Sequence, residues 1–236
     1  MAAGETATTM PQEDEMKDVI DAFNQAANTT RADLFDDNRL MPITATADAN
    51  TAACGWVGEN WERGGDLMIG INPGGGGDGY RRNPTDDKLY GLIRAFRDAA
   101  PDQRDVTFSQ MSSGWIDFQR SHSIWRLVGA LFDATGQTTE HSAFVNVLPF
   151  RTRNDNPASI GTLLRSVDRV LMPQLDALAP KRIFALGLKT HKLLLRLGDL
   201  GGAEVIALPR TIGDSYIAPK TASILKLLKE GRMRAV

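Results

Sequence analysis

Four short apolar runs, each set off by polar or glycine-rich text, constrain what this chain can fold into more than any other feature. They are DLMIGI (66–71), SAFVNVL (142–148), RIFALGL (182–188) and EVIAL (204–208). Each has the length of a strand and is nearly continuous in apolar residues rather than alternating, the pattern of a strand covered on both faces. Between them apolar residues recur at helical spacing: Leu89, Leu92, Ile93 and Phe96 in 89–97, then in 124–132, 163–178, 189–197 and, before Gly231, 219–230. Met16, Val19, Ile20 and Phe23 predict an earlier helix over 13–27. Pro173 interrupts the 163–178 pattern, so a kink or break is expected there. Residues 44–65 read as loop with room for one short strand. Buried strands alternating with helices predict an α/β fold in three α/β/α layers, with a central four-stranded parallel sheet.

Composition sets the frame for that core. With 236 residues, 42% hydrophobic and 24% charged, the chain is long enough to bury a single sizeable core. The first sixteen residues are polar and acidic, a composition that predicts disorder. Residues 1–40 hold nine Asp/Glu against three Lys/Arg, and the remainder 24 Lys/Arg against 20 Asp/Glu. The expected organisation is therefore an acidic N-terminal arm and helix (1–40) followed by a mildly basic α/β domain (41–236). No apolar stretch has the length of a membrane span and no signal peptide is apparent, so a cytoplasmic protein without a membrane partner is expected. The single cysteine, Cys54, excludes an internal disulfide and cannot by itself hold a zinc ion or an iron–sulfur cluster, so no metal and no cofactor are expected.

In open parallel sheets the ligand crevice lies beyond the carboxyl ends of the strands. Those ends read Asn72-Pro73-Gly74-Gly75-Gly76-Gly77 after the first run, Asn146 to Pro149 at the second, Gly187 at the third, and Pro209-Arg210-Thr211 after the fourth. The glycines at 74, 76 and 79 formally match a dinucleotide-binding pattern, but Tyr80-Arg81-Arg82-Asn83-Pro84 follows where a helix should begin. No Gly-Lys-Ser/Thr is present, which excludes a phosphate-binding loop of the nucleotide triphosphatase kind.

A strand ending Gly70-Ile71-Asn72-Pro73-Gly74 resembles the first motif of the uracil-DNA glycosylase superfamily, in particular its mismatch-specific uracil and thymine glycosylases. The likeness extends to the spacing of four strands, to Phe144-Val145-Asn146 with Pro149, and to Leu171-Met172-Pro173-Gln174-Leu175 through Pro180 and Ile183 to Leu186-Gly187. It covers roughly residues 66 to 225. It implies a uracil-DNA glycosylase-like domain, DNA carrying a damaged or mismatched base as partner, and base excision as activity. In the single-strand-selective branch an asparagine in a strand similar to that of Asn146 reads the pyrimidine edge. Where the superfamily carries a second motif, His-Pro-Ser-Pro or Asn-Pro-Ser, this chain has Leu208-Pro209-Arg210-Thr211-Ile212-Gly213.

These residue types suit cleavage of an N-glycosidic bond. Asn72 can hold a water through its amide oxygen, and Asn146 offers the acceptor and donors that pair with N3–H and O4 of a flipped uracil or thymine. The backbone around Gly70, Ile71, Pro73, Gly74 and Gly75 can cradle a base carbonyl or a phosphate. Tyr80 is a candidate for stacking on the base, and Arg210 for stabilising the departing base anion. Arg81, Arg82, Arg151 and Arg153, with Thr211 and an apolar wedge at Ile212, form a candidate DNA-contacting rim. Structural readings stand beside these: Asn72 satisfying its own turn, Asn146 stitching loops together, Tyr80 covering a loop, and the arginines as solvated surface. His122, His141, His191 and Cys54 are assigned no chemistry. Two functions remain open, a monofunctional DNA glycosylase and a catalytically idle member of the fold that binds a nucleobase, a nucleotide or a protein.

Overall fold

All four apolar runs become strands of one sheet. The computed structural model describes residues 12–40, 51–74, 84–153, 156–211 and 216–232. In chain order these form α1 (Gln12–Asn28), α2 (Arg31–Leu34), β1 (Trp56–Val57), β2 (Asp66–Gly70), α3 (Pro84–Arg97), α4 (Arg104–Arg120), α5 (Ile124–Thr135), β3 (Ser142–Asn146), α6 (Ile160–Ser166), α7 (Met172–Leu178), β4 (Arg182–Leu186), α8 (Leu188–Leu197), β5 (Glu204–Leu208) and α9 (Pro219–Lys229). The sheet order is β1-β3-β2-β4-β5, with β3, β2, β4 and β5 mutually parallel and β1 antiparallel to β3. The sheet is thus five-stranded and mixed, not the four-stranded parallel sheet expected. Every residue of β2 and β3 is buried. Because successive side chains point to opposite faces, both faces of the sheet are covered.

β1 is only two residues long, and its neighbours explain why it exists. Gly55 precedes it with φ of 97°, a left-handed conformation that favours glycine, and a Cβ there would lie 2.1 Å from the Phe144 carbonyl oxygen. Two polar residues of α4 then serve it: Ser112 Oγ accepts from the Val57 N–H (3.3 Å), and Gln119 Oε1 accepts from Trp56 Nε1 (2.8 Å). Trp56 stacks at 6.4 Å on Phe144 of β3. α4, absent from the helices expected above, buries Phe108, Met111 and Trp115 together with those two polar side chains. Its apolar periodicity is diluted for this reason.

The other helices follow the predicted patterns. α1 starts at Gln12, so residues 12–16, expected to be disordered, belong to a helix. Its buried Val19, Ile20 and Phe23 join the core, Phe23 meeting Phe108 edge to face at 5.4 Å. α6 and α7 are joined by a π-helical turn, Val167–Leu171, in which the Met172 N–H reaches the Val167 carbonyl. The irregularity expected at Pro173 is taken up here: proline has no N–H to continue the ladder, and the wider turn precedes it. No helix among the described residues is long and apolar enough to cross a membrane.

Cys54 lies in the same core, its Sγ 3.9 Å from Met111 Sδ, and burial pushes its thiol up to about 12. The folded protein is expected to resist a maleimide at pH about 8 and to take up one equivalent once unfolded in guanidinium, since only the thiolate reacts. Fast labelling of the folded chain would show that this layer opens.

Candidate active site

The carboxyl ends of β3, β2, β4 and β5 lie side by side, and every candidate within the described residues sits on or just beyond them. β2 and β3 are in register up to Gly70 and Asn146, and the pairing runs on as the Val147 and Leu148 N–H groups donate to the Gly70 and Ile71 carbonyls, each at 2.9 Å. The segment after Asn146 is held from three further sides. Ser166 Oγ donates to the Val147 carbonyl (2.6 Å), the Ala53 N–H to the Pro149 carbonyl (2.7 Å), and Gln174 Nε2 fixes the adjacent Cys54 carbonyl (2.8 Å). A frame this constrained holds a side chain in one place before any ligand arrives.

Asn146 is the side chain it holds. It is only 4% exposed, yet its carboxamide makes no hydrogen bond among the described residues. Neither of its polar atoms is among the fully enclosed ones, so the amide opens onto the strand-end crevice, where a ligand or water can meet it. It lies directly over Gly70: a Cβ on Gly70 would come within 2.5 Å of Asn146 Oδ1 and 3.3 Å of Phe144 Cζ. Glycine at position 70 is therefore what makes room for the amide, a reason specific to this site and distinct from turn formation.

Asn72, two residues on, has its Nδ2 bonded to the Pro73 carbonyl at 3.1 Å. This is the turn-closing role foreseen as the structural alternative, and it also orients the amide, leaving Oδ1 as the end that can accept. Gly74 is exposed, and a Cβ there would meet nothing within 4 Å among the described residues. Gly75, Tyr80, Arg81, Arg82 and Ile212 lie outside the described residues.

Arg210 stands at the other side of the row. Its guanidinium carbon is 5.2 Å from the Tyr216 ring centroid, its Nη1 donates to the Tyr216 hydroxyl, and its Nε lies 3.3 Å from where a Cβ of Gly187 would be. Thr221, fully buried on α9, donates to the Pro209 carbonyl and fixes that turn. Arg210 thus leans from the end of β5 over the end of β4, one strand spacing (about 4.8 Å) from β2. Asn146 and the β5 terminus are three spacings apart, roughly 14 Å. Tyr216 and Gly187 as supports of Arg210 were not foreseen; no periodicity or motif marks them.

The arginine rim is only partly displayed. Arg151 is 6% exposed, and Arg153 is half-buried with its Nε enclosed. Burial takes Arg151 out of reach of a docked phosphate; Thr211 is half-buried beside the exposed Arg210. Two histidines lie apart: His122 Nδ1 is 2.8 Å from the Phe118 carbonyl at the end of α4, and His141 precedes β3 at the opposite end of the sheet; His191, in the first turn of α8, gives its backbone N–H to the Gly187 carbonyl at 3.1 Å. A cleft of about 790 Å³ also opens at that opposite end, between α1 and the turn before β2, lined by Glu15, Glu59, Trp61, Glu62, Arg63 and His141. Its volume does not by itself make it the better site. Among the described residues no group of His, Cys, Asp or Glu is placed to hold a metal ion there or elsewhere, whereas the glycine-rich end presents the Asn146 amide to its crevice.

The chemistry open to this end of the sheet is neutral and cationic. Residues 70–74, 146–153, 187–188 and 209–211 include two asparagines and three arginines but no carboxylate and no histidine. These described residues can hydrogen-bond a polar ring edge, orient a water and stabilise a developing anion, and none of them is a general base. The protein is of the α/β class, and its candidate site lies at the carboxyl ends of the parallel strands. Compared with known family models and with curated proteins, the chain matches none.

Proposed function

We propose that this chain is a monofunctional DNA glycosylase of the uracil-DNA glycosylase kind, acting on a flipped uracil-like or deaminated base. The observation that carries this is the carboxamide of Asn146, a buried residue, held over Gly70 and without a hydrogen-bond partner among the described residues. Two further features support it: the Gly-Ile-Asn-Pro-Gly segment lies at the end of a central strand, and four of the strands are parallel in the order β3-β2-β4-β5, which suits a three-layer glycosylase-like domain.

In this mechanism Asn146 Oδ1 accepts from N3–H of the flipped base and Nδ2 donates to O4. A water held by Asn72 Oδ1 attacks C1′ on the face opposite the base. The C1′–N bond breaks as the new C–O bond forms, the bonding pair stays with the base, and the water's proton passes to solvent. Arg210 and the backbone N–H groups near Ile71 balance the charge on the base. Asn72 cannot take the water's proton as a carboxylate would, so turnover is slow and rests on fixed electrostatics. No lysine lies in 70–74 or 146–153 to form a Schiff base, hence hydrolysis without strand cleavage.

One observation favours a second reading. Asn72 already closes its own turn through Nδ2. In that reading the fold binds a nucleobase, nucleotide or protein without cleaving anything. A single experiment separates the two. Labelled oligonucleotides carrying uracil, thymine opposite guanine, hypoxanthine or xanthine are incubated with the protein, and abasic sites are revealed with alkali. The glycosylase reading expects abasic product from at least one substrate, formed about tenfold more slowly by Asn72→Ala. No product at stoichiometric protein overturns it and leaves the binding module.

A further inference from the structure

Several arginines elsewhere in this protein are held by carboxylates. Arg39 pairs with Asp37, Arg97 with Asp98, Arg104 with Asp21, Arg165 with Asp36, Arg169 with Asp33, and Arg182 with Asp66. Lys17, Arg63 and Lys88 have no such partner among the described residues, and α8 gathers three cations of that kind on a single helix. Lys189, Lys192 and Arg196 are all exposed on one face of it, none has a carboxylate partner among the described residues, and residues 188–197 contain no Asp or Glu.

Position adds meaning to the charge. α8 leaves the sheet at Gly187, the residue against which Arg210 packs, and its first residue, Leu188, is 50% exposed. The row of cations therefore begins beside the candidate site and leads away from it along the flank. At about 1.5 Å per residue, Lys189 to Arg196 spans about 10 Å. One strand of a duplex carries a phosphate per roughly 3.4 Å of axis, so the row matches about three phosphates.

We infer that the outer face of α8 is a track for a nucleic-acid backbone, in which Lys189, Lys192 and Arg196 neutralise consecutive phosphates and Leu188 packs on the sugar or base nearest the pocket. This rests on the DNA reading above and names a surface for it. Leu195, 60% exposed on the same face, distinguishes the occupants. An anionic bilayer would bury it, while phosphates leave it in water. Two leucines on a ten-residue helix offer little area to a bilayer, and no bilayer explains why the row starts at the site.

The test needs no catalysis. Binding of a fluorescein-labelled undamaged oligonucleotide, single-stranded and duplex, is followed by anisotropy from about 50 to about 200 mM salt. Replacing Lys189, Lys192 and Arg196 together by Gln is expected to weaken binding about a hundredfold near physiological salt and to reduce the log–log salt slope by about 3. Leu195→Ser should leave the slope unchanged. If the wild type binds but the triple variant keeps its slope, the track is overturned while the glycosylase reading stands. If the wild type ignores both oligonucleotides and instead binds phosphatidylserine vesicles in a way that Leu195→Ser abolishes, the track and the DNA reading fall together.

Discussion

Alanine at position 70 is expected to slow base release about a hundredfold while the fold survives. The added Cβ would lie 2.5 Å from Asn146 Oδ1 and 3.3 Å from Phe144 Cζ. The strand cannot yield, because Gly70 is in register with Asn146 and its carbonyl is bound by the Val147 N–H. The carboxamide can, by rotating out of the position in which it meets the base. Misplacing one preorganised polar group costs on the order of 10²–10³ in rate. Overpacking of this kind costs about 1–2 kcal/mol, a fall of roughly 5 °C in melting temperature. Asn146→Ala should lose a similar factor, and the double variant little more, since both changes remove the same amide. A Gly70→Ala protein that releases base at the wild-type rate, beside an inactive Asn146→Ala, would show that the clash is relieved without moving the amide.

Gly55→Ala should instead strike the fold. Its φ of 97° disfavours any side chain, and the new Cβ would fall 2.1 Å from the Phe144 carbonyl oxygen, a backbone atom of a buried strand. β1 can relieve this only by leaving β3, which uncovers Trp56 and breaks its bond to Gln119. Left-handed strain and loss of this packing together are expected to cost about 4 kcal/mol, lowering the melting temperature by roughly 12 °C. Gly136→Ala is the control. Its φ of 71° is also left-handed, but nothing lies within 4 Å of the new Cβ, so about 1 kcal/mol is expected. Equal losses in thermal denaturation would mean that backbone conformation, not the contact with Phe144, sets the cost.

Residue chemistry along the chain determined the strands, most of the helices and the place of the candidate site. Burial on both faces leaves its mark in the type of every residue of 67–69 and 143–145, and helical burial does so every third or fourth residue. The Gly-Ile-Asn-Pro-Gly segment and Asn146 could be picked out because a strand end is a local feature. α4 and β1 could not. Ser112 and Gln119 are buried only because β1 supplies their partners, and β1 is a strand only because β3 and α4 hold it.

Tertiary structure alone decided which polar groups have partners. Arg151 and Arg210 look equivalent in sequence, each just beyond a strand; one is buried and the other leans exposed across Gly187 against Tyr216. Asn72 and Asn146 are both asparagines at strand ends, yet one is bonded to its own turn and the other, a buried residue, has no hydrogen-bond partner among the described residues. Side-chain type sets what a group can bond to and is local. Whether a partner is present, and whether water is excluded, depends on residues distant in the chain, and only the folded arrangement brings those together.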